Sequence, residues 1–237
     1  MREFPTAHIN PTLLRKVYRL HGIKKKRYRW LKLIKTMGVD EVARKKASMK
    51  RQLTMARRGG YRIIYLDETF FTRRTVPQTE WMLPGENVAV DQDLVKEPCL
   101  SLLSGISKER GQEHYQLYTR SLNIQRFKEY LKELRARNGD DKVCIFMDNL
   151  AVHTSEKTKK YMKELGFRWI FNVAYSPEWN PIETVFSLYK RKFRALRARK
   201  ITGQLQMGHE AMVHRAVGET KKQDIANCVN HVIKLLR

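Results

Sequence analysis

Cysteine is scarce: Cys99, Cys144 and Cys228 are the three in 237 residues. They stand too far apart for a disulfide framework or a CxxC zinc site, and two lie in apolar runs as reduced core thiols would. No stretch approaches the roughly 20 apolar residues that a spanning helix requires, so no membrane partner is expected. Met1 to Pro11 lacks the apolar core of a secretory leader, and the chain reads as soluble and intracellular. Internal repeats and low-complexity tracts are also missing, which removes repeat architectures from consideration. Acidic residues are in deficit: 24 Asp and Glu face 48 Lys and Arg, a formal charge of +24.

Such an excess opposes compaction unless a polyanion neutralises it. Nucleic acid fits that requirement ahead of an acidic membrane surface. The length suits one large domain with an appendage, since single cores grow to about 250 residues before splitting. Composition changes at Gly59-Gly60. The basic stretch before it predicts two helices, the first opening at Asn10-Pro11 and running to Gly22, the second over 39–57. Arg15, Lys16 and Arg19 fall largely off the apolar face of the first helix. They suit either DNA contact or an ordinary solvated face. Lys24, Lys25, Lys26 and Arg27 form a cluster best suited to phosphate contact, with an import address or a solvated stretch as alternatives.

Beyond the double glycine, apolar and β-branched runs predict strands over 62–71, 81–90, 100–106 and 115–119. A helix over 121–138, a strand over 143–147, a helix over 154–165 and a strand over 168–173 follow. That alternation predicts a parallel βαβ arrangement joined to an antiparallel meander, hence an α/β mixed sheet with flanking helices. Such sheets place ligands beyond the carboxyl ends of their strands.

Asp67 and Asp148 each end an apolar run and are expected at strand ends. Glu183 follows Asn180-Pro181-Ile182, on the first turn of a further helix. Each acid has an ordinary reading: a turn for Asp67 and Asp148, and the glutamate of a capping box under an Asn180 cap for Glu183. Together they suggest a phosphoryl-transfer metal site, because acids gathered at one end of a sheet repel unless cations lie between them. Asn149, His153 and Asn180 are secondary candidates, His153 being either an orienting group or a helix-start surface histidine. Glu68 ranks lower, since adjacent strand residues point to opposite faces. Lys190, Arg191, Lys192 and Arg194 crowd the helix after Glu183, with Arg197, Arg199 and Lys200 beyond, and read as DNA-holding residues or a solvated face. Ile225, Val229, Val232 and Ile233 predict a last helix, packed on the core or on a second subunit of a homodimer.

Three segments carry a family resemblance: Leu66-Asp67-Glu68-Thr69, the run from Met147 through Asp148, Asn149 and Leu150 to His153, and the run from Tyr175 to Glu183. They resemble the catalytic core of the Tc/mariner transposases and their bacterial insertion-sequence relatives. The 34 residues between Asp148 and Glu183 resemble the Tc branch. The resemblance covers about residues 9 to 195. Glu178, Trp179 and Leu150 depart mildly from the family's usual residues.

The resemblance implies a ribonuclease-H-like fold, three antiparallel strands joined to two parallel ones, with an insertion hairpin around Trp81. It divides the chain into a basic helical segment over 1–58 (the remnant of a second helix-turn-helix plus linker), a catalytic domain over 59–200 and a helical tail over 201–237. It implies Asp67, Asp148 and Glu183 as the catalytic and metal-holding acids, with two Mg²⁺ ions per site and Mn²⁺ as a substitute. The implied activity is DNA strand cleavage followed by 3′-OH strand transfer. The partners would be double-stranded DNA bearing the transposon inverted repeats and a TA target, met in the nucleus of a eukaryote or the nucleoid and cytoplasm of a bacterium. A ribonuclease-H-like nuclease without strand transfer and a non-catalytic DNA-binding derivative are the alternatives.

Overall fold

The computed structural model describes residues 10–21, 38–72, 75, 97–119, 121–174 and 176–236. The expectations for Lys24, Lys25, Lys26 and Arg27, and for the extended segment 81–90, lie outside these residues. The chain forms two compact units, Met1–Val39 and Asp40–Arg237. The expected boundaries near residues 58 and 200 both fall within the second.

The first unit contains α1 (Pro11–Leu20), which starts as its sequence dictates. Asn10 is extended and its side chain accepts the Thr12 N–H at 2.8 Å, with proline at the first helical position. That bond satisfies one of the donors a helix start leaves open. Arg15, Lys16 and Arg19 are exposed.

In the second unit five strands form one sheet in the order β3-β2-β1-β4-β5: β1 (Arg62–Phe71), β2 (Leu100–Ser107), β3 (Gly111–Tyr118), β4 (Val143–Met147) and β5 (Arg168–Phe171). β1, β2 and β3 are antiparallel, while β4 pairs parallel to β1 and β5 parallel to β4. With helices on both faces, this is the ribonuclease-H-like fold. The segment 81–90 aside, each predicted strand is present, with ends moved by a few residues.

Period-two alternation sorts the strand residues between two cores. Ile63 and Tyr65 of β1 and Cys144 and Phe146 of β4 join one core; α2 (Val39–Arg58) meets it through Met49, Leu53 and Ala56. The same core takes in α6 (Ile182–Ile201), α7 (His209–Gly218) and α8 (Lys222–Leu235). Ile64, Leu66, Val143, Ile145 and Met147 join the other, with α3 (Ile124–Asn138) and α5 (Glu156–Glu164). The last helix therefore rests on the protein's own core: Ile225, Val229 and Val232 are buried there, as are Met212, Val213, Ala216 and Val217 of α7, which the periodicity did not predict.

Three expectations are adjusted. The helix expected over 154–165 is α5, which starts at Glu156 because Ser155 is extended and its hydroxyl accepts the Thr158 N–H as the cap; a separate single turn, α4 (Ala151–Thr154), precedes it. Asp67 is not at a strand end, because β1 pairs with β2 as far as Phe71↔Leu100. Its parallel pairing with β4 stops at Tyr65↔Phe146. Asp67 thus stands just past the point where the neighbouring strand leaves it. Cys99, finally, is exposed rather than in the core; Cys144 and Cys228 are buried free thiols.

Candidate active site

A cavity of about 410 Å³ opens beyond the carboxyl ends of β4 and β5, beside the part of β1 that β4 leaves uncovered, and its lining includes Asp67, Asp148, Glu183, Asn149 and Leu150. Strand parity explains the convergence. Asp67 shares the face of Ile63 and Tyr65, against which α6 packs, and Glu183 is on the first turn of α6. Asp148 is the first residue beyond β4. Glu68 takes the opposite face of β1, where the Ser101 hydroxyl donates to it at 3.4 Å.

The acids burden one another. Burial first, and then the charge of Asp148, push the Asp67 carboxyl up to about 7; Glu183 adds to the rise and the Glu68 N–H, donating to Oδ1 at 2.8 Å, opposes it. Glu183 has surface in contact with solvent, yet desolvation among its neighbours raises its carboxyl, Lys190 opposing and Asp148 adding. Burial likewise raises Glu68, against the influence of His153. Carboxylates raised by burial and, less, by one another are the electrostatic pattern of a site short of positive charge. Among the described residues no three His, Cys, Asp or Glu side chains stand close enough to enclose a metal ion.

Two of the acids are held from within. The Asn180 amide, 2% exposed, donates to Asp67 Oδ2 at 3.2 Å and to the Leu66 carbonyl at 3.3 Å. This overturns the capping-box reading of Glu183: the Asn180 side chain is engaged with β1, and α6 has Pro181 as its cap with no side-chain cap bond. Only the backbone keeps the expected link, Glu183 N–H donating to the Asn180 carbonyl at 3.2 Å. His153 is not at the surface but wholly buried, its Nδ1 2.7 Å from Asp148 Oδ1. The Asn149 amide donates to the Asn172 carbonyl at 2.6 Å, tying the end of β4 to the chain beyond β5. Next to the acids, Trp179 packs in the core with the Lys46 ammonium 4.6 Å over its ring.

The basic residues after Glu183 divide. Arg191 and Arg194 are exposed and Lys190 and Lys192 half-buried, Lys192 donating to the Glu219 carbonyl. Arg197 and Lys200 turn to an acid of the protein itself. Arg197 is 1% exposed, and both meet Glu97, at 3.3 and 2.8 Å, with His209 at 2.9 Å completing the cluster. Sequence reasoning missed this network and the Asn180 bridge. Both join residues about a hundred positions apart, and neither has a local signal.

The sequence profile of the family described as DDE superfamily endonuclease matches residues 62–206. Curated protein sequences give no match. Among solved structures the chain is similar to the Mos1 strand transfer complex, with a TM-score of 0.61 at 16% identity over 95% of this chain and 67% of that one. It is similar also to the Mos1 mariner paired-end complex with Mn, with a TM-score of 0.62 at 15% identity over 96% and 69%. The Mos1 catalytic domain with Raltegravir and Mg aligns with a TM-score of 0.56 at 15% identity over 84% and 93%.

Proposed function

The chain belongs to the DDE superfamily of endonucleases, and from that premise we propose that it is a DNA transposase of the Tc/mariner type, or the catalytic part of one. The observation that carries the reading is the gathering of Asp67, Asp148 and Glu183 on one cavity, where β4 ends and leaves β1.

The donor set fits hard divalent cations. Three carboxylates supply only oxygen, which Mg²⁺ and Mn²⁺ prefer, and Asp67 and Glu183 carry charge that their surroundings disfavour. The Mos1 structures solved with Mg and with Mn support the same choice. Asp67, Asp148 and Glu183 would hold the ions. When bound, such ions lower the pKa of an attacking water and stabilise the leaving 3′ oxygen.

The remaining work belongs to the chain's own side chains. Asn180 and the Glu68 N–H fix both oxygens of Asp67, so that acid meets its ligand in one orientation. Leu150, Val173, Ala174 and Pro177 give the cavity its apolar wall next to the acids. Arg191 and Arg194, exposed on the helix that carries Glu183, would track the phosphate backbone of double-stranded DNA.

The test uses a plasmid with the inverted repeats bordering the gene, Mg²⁺ or Mn²⁺, and the Asp148→Asn variant in parallel. Expected are metal-dependent cleavage at the repeats and joining of the freed 3′ ends by the wild type, with both lost in the variant. Cleavage without joining would mean a nuclease; binding without cleavage would reduce the protein to a DNA-binding derivative.

A further inference from the structure

The second acid rests on a side chain that the chemistry above does not use. β4 delivers Asp148 beyond Met147, and the chain then turns through α4, where the His153 N–H donates to the Leu150 carbonyl at 2.9 Å. That single turn brings the imidazole back over the strand end, five residues after the acid. Its Nδ1 lies 2.7 Å from Asp148 Oδ1, and the Leu150 N–H reaches the same oxygen at 3.3 Å. Both bonds fall on Oδ1. Among the described residues Oδ2 accepts none.

The two partners differ in environment. The His153 side chain is 0% exposed, whereas that of Asp148 is 38% exposed. The Phe127 ring packs on the imidazole with centroids 4.7 Å apart. Behind it, the Thr158 and Ser155 hydroxyls donate to the Val152 carbonyl at 2.7 and 3.3 Å and hold α4 in place. Nε2 is buried without a hydrogen-bond partner among the described residues. An unpaired buried polar atom is costly, so a histidine used only to fill space would be a poor filler beside Phe127. The bond from Nδ1 is what the position gains.

We propose that His153 is a positioning residue: its Nδ1–H immobilises one oxygen of Asp148 and thereby presents the other as the ligand for a divalent cation. The proposal rests on the metal reading of the three acids. A carboxylate needs this help here because the acids repel one another, and a free Asp148 would rotate away from the cavity. Hydrogen bonds to metal-ligating groups set their orientation and basicity, and their loss typically lowers metal affinity by about 10–100-fold. The hydrogen bond also fixes the tautomer, since an ionised carboxylate can only accept.

Mn²⁺ binding to the DNA-free protein, followed by electron paramagnetic resonance, tests the proposal with His153→Leu and His153→Asn. Leucine fills the space against Phe127 without a donor; asparagine places an amide nitrogen on Cγ where the imidazole has Nδ1. Expected is a loss of about 10–100-fold in Mn²⁺ affinity for His153→Leu, recovered to within several-fold by His153→Asn, with circular dichroism showing both folded. Wild-type affinity in folded His153→Leu would overturn the proposal, as would a folded His153→Asn no better than leucine. If either variant unfolds, the ¹⁵N imidazole spectrum of the metal-free wild type decides: the Nδ1–H tautomer, perturbed by Asp148→Asn, supports the role, and an Nε2–H tautomer rejects it. A wild type that takes up no Mn²⁺ would refute the metal reading, and the imidazole spectrum would then judge the His153–Asp148 contact by itself.

Discussion

At Asp67 burial and the neighbouring acids act in the same direction, and the consequence for stability has a definite sign. The carboxyl sits at about 7 in the folded chain, against an ordinary value of 3.8. Folding therefore takes up a proton between those values, and stability contributed at this residue falls as pH rises from about 4 to 7. In EDTA at pH 8, Asp67→Asn should melt higher than the wild type, by at least the roughly 2–4 °C that about 1 kcal/mol produces in a chain of this size. At pH 4 the difference should vanish. Excess Mg²⁺ or Mn²⁺ at pH 8 should raise the wild type and leave the variant unmoved, since a ligand stabilises only the state that binds it. Thermal melts under these three conditions check the claim; a variant less stable than the wild type at pH 8 in EDTA would contradict it.

Between elements the decisive contacts run through Glu97. Its carboxylate meets Arg197 and Lys200 of α6 and His209 of α7, while Arg197 also donates to the Thr72 carbonyl just past β1 at 3.3 Å. Removing one partner of a buried pair leaves the other uncompensated, at about 3–5 kcal/mol. Glu97→Ala should therefore destabilise the fold by about 3 kcal/mol or more, read as a lower urea midpoint; a change under about 0.5 kcal/mol would show the cluster to be unimportant. Tight packing makes a second demand at Gly105, where an added Cβ would lie 2.7 Å from the Tyr130 hydroxyl and 3.1 Å from Ile64 Cγ2. Gly105→Ala should cost about 1–3 kcal/mol by overpacking, measured in the same titration. These elements also mark what the sequence could reveal. β1 and β4 were legible because apolar runs bounded by acids are local signals, and α1 because Asn10-Pro11 is a local cap. Glu97–Arg197, Asn180–Asp67 and α7 were not, since pairing between distant residues has no period, and the capping-box pattern at Asn180 concealed an amide spent on β1. Of the site, the three acids were visible, while the burial of His153 could be seen only once α4 was known to be a single turn.

For the molecule as a whole, a charge of +24 makes salt the sensitive variable. Each phosphate neutralised releases counterions, so log affinity for duplex DNA should fall against log salt with a slope of about −0.9 per contact. Total basic content does not set that slope; only cations free to reach phosphate do. The structure separates residues that the sequence lumps together: Arg191 and Arg194 are exposed, whereas Arg197 is enclosed with Glu97. Arg191→Ala and Arg194→Ala should each reduce the slope by about 0.9 and leave thermal stability within a degree or two. Arg197→Ala should leave the slope unchanged in whatever fraction remains folded and lower the melting temperature, because Glu97 loses the most deeply buried of its three partners. Asp67→Asn and Asp148→Asn, which remove negative charge from a cavity and no phosphate contact, should keep the wild-type slope. Fluorescence anisotropy on a labelled duplex from 50 to 300 mM KCl, roughly the range over which several contacts become measurable, distinguishes the groups. A slope insensitive to Arg191 and Arg194 would move the DNA path off the helix that carries Glu183.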